Sequence, residues 1–114
     1  VPAPGPGASA YSVAKAGLTQ MARIAALELG PAGIRVNVVH PNQVFDTAIW
    51  TPDVLQKRAK AYGLSVEEYK TSNVLKTAIE SADVARLICA MAGPAFAKTT
   101  GAQVPIDGGN ERVI

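Results

Sequence analysis

Residues 11–41 read YSVAKAGLTQMARIAALELGPAGIRVNVVHP, and this stretch decides the fold. Ala14, Leu18, Met21 and Ala25 recur at helical spacing and Ile24 widens the stripe, which predicts a helix from about Tyr11 to Leu29. Gly17 is tolerated inside it at some cost and permits close backbone packing. Gly30-Pro31-Ala32-Gly33 stops the helix. The β-branched run Ile34-Arg35-Val36-Asn37-Val38-Val39 then reads as a short buried strand, ended by His40-Pro41. Helix, tight turn and strand in that order make half of a βαβ unit, so the chain reads as α/β.

Beyond Pro41 the character changes. Gln43-Val44-Phe45-Asp46-Thr47 reads as a loop, and Pro52 opens a helix that Gly63 closes after Tyr62. Ser65-Val66-Glu67-Glu68 has the pattern of a capping box, with a short helix following to about Thr71. This charged, aromatic-bearing stretch of about 42–78 suits a lid more than a core. Ser81-Ala82-Asp83 starts another helix with Ser81 as its cap, and Val84, Leu87, Ile88 and Met91 form its apolar stripe before Gly93-Pro94. Ala102-Gln103-Val104-Pro105-Ile106 reads as a strand entering Asp107-Gly108-Gly109. Pro105 cannot donate to a ladder, so this strand lies at an edge or bends there.

Two strands cannot enclose a chain that is 48% hydrophobic, so the helices are expected to pack on a sheet whose other strands lie elsewhere. The opening Val1-Pro2-Ala3-Pro4-Gly5-Pro6-Gly7 has turn chemistry and no preceding element to turn from. Both observations read the 114 residues as the C-terminal piece of a single larger domain. A net charge of +2, with eleven Lys and Arg scattered along the chain, argues against nucleic acid. No apolar run approaches the roughly 20 residues of a membrane span, so no membrane partner is expected. Cys89 sits in an apolar helical pattern and reads as a buried small hydrophobe, which fits a cytoplasmic location. No His, Cys and carboxylate cluster has metal-ligand spacing.

Tyr11 and Lys15 carry the chemistry. Four residues of helix bring two side chains to one face, one turn apart. A free phenol ionises only near pH 10, and an ammonium held beside it favours the phenolate, which makes a proton donor and acceptor for neutral pH. Such a group serves proton transfer to or from a carbonyl or alcohol oxygen while hydride moves. The plain alternative is a solvated helix surface.

Four motifs occur in one order: Ala10-Tyr11-Ser12-Val13-Ala14-Lys15-Ala16-Gly17, then Gly33-Ile34-Arg35-Val36-Asn37-Val38-Val39-His40-Pro41, then Ser81-Ala82-Asp83-Val84-Ala85, then Thr100-Gly101 with Asp107-Gly108-Gly109. In this the chain resembles the C-terminal part of the short-chain dehydrogenase/reductases. The resemblance implies a doubly wound parallel, Rossmann-like sheet with NAD or NADP at its carboxyl edge. It implies Tyr11 as general acid/base, and Lys15 as the group that tunes it and hydrogen-bonds the nicotinamide ribose. Pro41 would begin the loop passing the nicotinamide, with Asn42 after it. Val44 would offer backbone groups to the carboxamide, and Thr47 would contact the carboxamide or a phosphate in a loop one residue longer than usual. A small-molecule alcohol or carbonyl substrate and a homo-oligomer follow from the same resemblance.

The sequence also departs from the family pattern. The glycine-rich phosphate loop, the residue selecting NAD over NADP and the catalytic serine would all fall before Val1. Asn42 replaces a glycine, though Asn also tolerates positive φ. A narrower resemblance links Pro4-Gly5-Pro6-Gly7, Arg58-Ala59-Lys60-Ala61-Tyr62-Gly63 and Lys98-Thr99-Thr100-Gly101 to the dehydrogenase half of bifunctional aldolase/short-chain dehydrogenases. It implies a small hydroxy-aldehyde such as lactaldehyde. Trp50 and Tyr62 either floor a substrate pocket or pack the lid. His40 reads as a packed or hydrogen-bonded residue more than a proton shuttle, and Asp107 as a turn former more than a ligand. The alternative function is a catalytically inert assembly or packing module.

Overall fold

The computed structural model describes residues 6–110. Helix α1 spans Ser9–Leu29 and passes through a 3₁₀ turn, Gly30–Ala32, into strand β1, Val38–Pro41. Helices α2, Pro52–Ala61, and α3, Val66–Lys70, follow. Then come α4, Ser81–Ala92, a second 3₁₀ turn, Pro94–Phe96, and strand β2, Gln103–Ile106. The strands pair in parallel, with Val38 opposite Gln103 and Pro41 opposite Ile106. The architecture is α/β, a two-stranded parallel sheet with flanking helices. The first five residues of the Pro/Gly opening lie outside the described residues.

The expected helix begins two residues earlier than predicted and ends at Leu29 as predicted, and the 3₁₀ turn after it closes where Gly33 adopts φ +79°, a conformation that glycine enters without steric cost. The strand after it is shorter and later than expected. Ile34–Asn37 are extended against residues 99–102 but bond largely through side chains: Val36 N donates to Thr100 Oγ1 at 3.0 Å, and Asn37 Nδ2 donates to Thr99 O at 3.0 Å. Asn37 Oδ1 in turn accepts from Ala102 N at 3.0 Å. Regular pairing therefore starts only at Val38, where the amide meets Ala102 O at 2.9 Å, and it runs on through His40 and Pro41.

Pro105 is accommodated as an edge residue. Ala102 O and Ile106 O accept from Val38 and Asn42, so even-numbered residues of β2 turn their polar groups to β1. The missing N–H of Pro105 falls on the opposite side, where no ladder exists among the described residues.

The apolar stripe of α1 faces solvent, with Leu18, Met21 and Ile24 exposed and Ala26 alone buried. Burial corrects two expectations. Cys89 is exposed rather than buried, because α4 turns Met91 inward and leaves Cys89 on its outer face. The lid segment, read as non-core, instead holds a core of its own. Phe45, Leu55, Ala59 and Tyr69 form one buried cluster, with Trp50, Leu64 and Val66 packed on it.

Helix ends explain the rest. The capping box forms as expected: Glu68 N donates to Ser65 Oγ at 3.1 Å, and Ser65 N donates to Glu68 Oε1 at 3.2 Å. The start of α4 differs, since its cap is Glu80 rather than Ser81. Glu80 N donates to Asp83 Oδ2 at 2.8 Å, which holds the Asp83 carboxyl below the usual carboxylate range with help from Arg86. At the far end, Arg35 donates to the carbonyls of Met91, Ala92 and Phe96, satisfying orphan acceptors where α4 stops.

Candidate active site

The site is defined by direction. Arg23 of α1 meets the first residue of β2: Gln103 donates its amide nitrogen to His40 Nε2 at 3.1 Å and accepts from Arg23 Nε at 2.9 Å. Ala26, one turn later, lies against Gly101, where an added Cβ would reach its methyl at 3.7 Å. Position rises along α1 as it falls along the second strand, so the two run antiparallel. From Arg23 back to Tyr11 is about 18 Å of helix, whereas β2 extends only about 10 Å beyond Gln103. Tyr11 and Lys15 therefore stand past the carboxyl ends of the strands, the edge where parallel sheets bind ligands.

There the two side chains meet. Lys15 Nζ lies 5.6 Å from the centre of the Tyr11 ring, within cation–π range. Tyr11 is 61% exposed.

The loop leaving β1 arises at the same edge. Pro41 closes the strand, and Asn42 N donates to Ile106 O at 3.3 Å. The left-handed residue is Gln43, at φ +56°, and not the expected Asn42. Val44 pairs with Ile79 in a parallel bridge, and its carbonyl accepts from Thr47 Oγ1 at 3.3 Å. Pro41, Asn42, Val44 and Thr47 thus share one short loop. Trp50 packs on the cluster of the 42–78 segment and meets Phe45 edge-on at 4.8 Å, and Tyr62 stacks on Tyr69 at 5.7 Å. Burial pushes the Tyr69 phenol above its ordinary value. Tyr62 is itself exposed on the outer side of the stack.

His40 is half-buried and hydrogen-bonded, and Asp107 is a turn former whose Oδ1 accepts from Gly109 N at 2.8 Å. No group of three or more potential metal ligands, and no helix long and apolar enough to cross a membrane, is found among the described residues.

Sequence reasoning missed Asp46 and Gln43. Asp46 accepts from Ser81 Oγ at 2.7 Å and from Ser81 N at 2.9 Å, clasping the two roots of the lid. These bonds, from the Ser81 hydroxyl first, hold its carboxyl below the usual range. Nothing local in the sequence marks a bond spanning 35 residues. Gln43 Oε1 and Ser12 Oγ are buried oxygens without a hydrogen-bond partner among the described residues. One lies in the loop leaving β1 and the other beside Tyr11. Unsatisfied buried oxygens of this kind fit a polar, donor-bearing ligand such as a nicotinamide nucleotide.

Comparison with known proteins agrees. Residues 3–111 match the family described as Enoyl-(Acyl carrier protein) reductase. The uncharacterized oxidoreductase YuxG of Bacillus subtilis is 41% identical over 110 residues, which cover 92% of this chain and 16% of that protein. A solved short-chain dehydrogenase family protein from Francisella tularensis superposes with a TM-score of 0.76 at 30% identity, over 96% of this chain and 46% of the other. The Pseudomonas aeruginosa RhlG/NADP active-site complex gives 0.71 at 31% identity, over 96% and 41%. The chain spans less than half the length of each of these proteins. The order of its elements, its parallel sheet and these matches agree: the chain belongs to the short-chain dehydrogenase/reductase family.

Proposed function

We propose that the protein carrying this chain is a nicotinamide-dependent oxidoreductase that interconverts an alcohol and a carbonyl. The observation that carries the reading is the exposed Tyr11 with the Lys15 ammonium beside its ring, past the carboxyl ends of the strands. NAD or NADP, when bound, supplies or accepts the hydride. In the reducing direction Tyr11 gives its proton to the substrate oxygen, and in the oxidising direction it takes the hydroxyl proton. Lys15 places a positive charge beside the oxygen that is left negative, and hydrogen-bonds the ribose. Pro41, Asn42, Val44 and Thr47 line the nicotinamide side, and Trp50 and Tyr62 present the lid to the substrate.

The substrate we favour is a small hydroxy-aldehyde such as lactaldehyde, handled by a protein that also carries an aldolase region, works in the cytoplasm and forms a homo-oligomer. The supporting fact is size: the aligned residues make up only 16% of YuxG, leaving room there for further domains. The described chain would then be the C-terminal part of one domain, with its lid at about 42–78.

In the full-length protein, Tyr11→Phe is expected to lower turnover at least about 100-fold while nucleotide affinity, read by fluorescence titration, stays near wild type. Near-normal turnover would defeat the assignment. The second reading, an inert packing module, draws on the exposed apolar face of α1. Calorimetric titration of the full-length protein with NAD and NADP separates the two readings, since a packing module takes up neither.

A further inference from the structure

Gln103 stands between two partners of opposite kind. Its side-chain oxygen accepts from Arg23 Nε at 2.9 Å, and its amide nitrogen donates to His40 Nε2 at 3.1 Å. A guanidinium offers donors and no acceptor, and it is not deprotonated in proteins. Arg23 therefore fixes the oxygen end of the Gln103 amide toward α1. The nitrogen end is left for His40, and an amide nitrogen donates without accepting. Nε2 of His40 is then the bare nitrogen of a neutral ring whose proton sits on Nδ1.

These bonds join α1, β2 and β1. Among the described residues, no other hydrogen bond runs from an α1 side chain to either strand. Thr19 bonds to Lys15 O, and Arg23 Nη1 donates to Gln20, both within the helix. The contact of Ala26 with Gly101 is apolar. Imidazole takes up a proton between about pH 8 and pH 5. A proton on Nε2 would set donor against donor. Gln103 could offer its oxygen to the ring only by withdrawing it from Arg23 and aiming its NH₂ at guanidinium donors. One link or the other has to break.

We propose that Arg23, Gln103 and His40 form a proton-sensitive tether. It holds the helix bearing Tyr11 and Lys15 to the sheet while His40 is neutral, and frees it when His40 is protonated. The charged groups around the ring leave this role to His40. From α1 come Arg23, Lys15 about 12 Å nearer the Tyr11 end, and Glu28 beyond Arg23 on the other side. On β2, Gln103 and Pro105 do not titrate, and the Asp107 carboxylate after it bonds to Gly109 N.

The test is hydrogen exchange in the full-length protein at pH 8 and pH 5.5, each amide rate divided by its intrinsic rate at that pH. In wild type, protection of the α1 amides around Arg23 is expected to fall about two- to tenfold on acidification, the worth of a net hydrogen bond. Amides in the middle of α4, which the tether does not reach, serve as the control and stay level. Gln103→Leu cuts the tether and is expected to show the lower α1 protection at both pH values. His40→Gln supplies an acceptor oxygen that does not titrate, and is expected to keep the higher protection at both. Equal α1 protection at the two pH values in wild type overturns the proposal. So does an acid loss that persists in His40→Gln, or one that α4 shares.

Discussion

Asn73 and Gly108 form a matched pair that neither residue's type announces. Asn73 is 1% exposed, donates Nδ2 to Thr77 O at 2.6 Å and accepts from Thr77 N at 3.2 Å. It closes the turn that returns the lid to the sheet. Gly108 lies directly over it: at φ +61°, an added Cβ would come within 2.4 Å of the Asn73 side chain. Gly108→Ala is therefore expected to destabilise by about 2 kcal/mol or more, from left-handed backbone cost plus overlap. Asn73→Ala should cost about 1–3 kcal/mol through the lost bonds to Thr77. The double variant should cost less than the sum, because the overlap disappears with the Asn73 side chain. Chemical denaturation of the four proteins measures this, and strict additivity would contradict the packing described. The Asp107-Gly108-Gly109 turn was readable from sequence; the pairing with Asn73 was not, since 35 residues separate the two partners.

Among the elements, the 42–78 segment, proposed above as a lid, is the one most independent of the sheet. Its cluster of Phe45, Leu55, Ala59 and Tyr69 is internal, and its roots are joined by the Val44–Ile79 bridge and the Asp46–Ser81 bonds. Leu55→Ala is expected to cost about 2–5 kcal/mol and to loosen α2 and α3 together, as hydrogen exchange would show. Protection lost from α2 alone would mean that the cluster is not cooperative. The clasp predicts an acid response. The Asp46 carboxyl titrates below its ordinary value of 3.8 when bonded to Ser81. Its contribution is thus fully present above that ordinary value and is lost as pH falls through the lowered one. Exchange at the Ser81 amide should accelerate in that acid window in wild type, and Asp46→Ala should show the faster exchange already at neutral pH. Equal protection in both would discount the clasp. Local caps such as Ser65 and Glu68 are legible because donor and acceptor lie within one turn. The clasp is not, because it spans the whole lid.

For the whole molecule, α1 has the largest consequence. Leu27 is 79% exposed and Val13 73%, and Met21, Leu18 and Ile24 also face solvent. A helix so apolar and so little covered makes an adhesive surface in the isolated chain. Among the described residues β1 and β2 are bonded only to each other, which leaves strand edges open as well. The 114-residue chain is expected to self-associate with rising concentration in sedimentation velocity, and Met21→Lys with Leu27→Glu should shift it toward the monomer. A monomeric wild type at high concentration would show that these faces are less available than their exposure indicates.

Residue order alone determined the succession of helix, turn and strand, the Ser65–Glu68 capping box, the glycine and proline stops and the Tyr11–Lys15 spacing. All of these rest on groups within a few residues of one another, where period and backbone preference act directly. Tertiary structure decided which apolar stripe was covered, why Cys89 faces outward, where regular pairing of β1 begins, and that Gln43 rather than Asn42 takes the left-handed turn. Those outcomes depend on partners tens of residues away: Thr100 and Thr99 for β1, Ile106 and Ile79 for the loop, Ser81 for Asp46. Burial and long-range hydrogen bonding are properties of the assembled layers, and no window of sequence contains them.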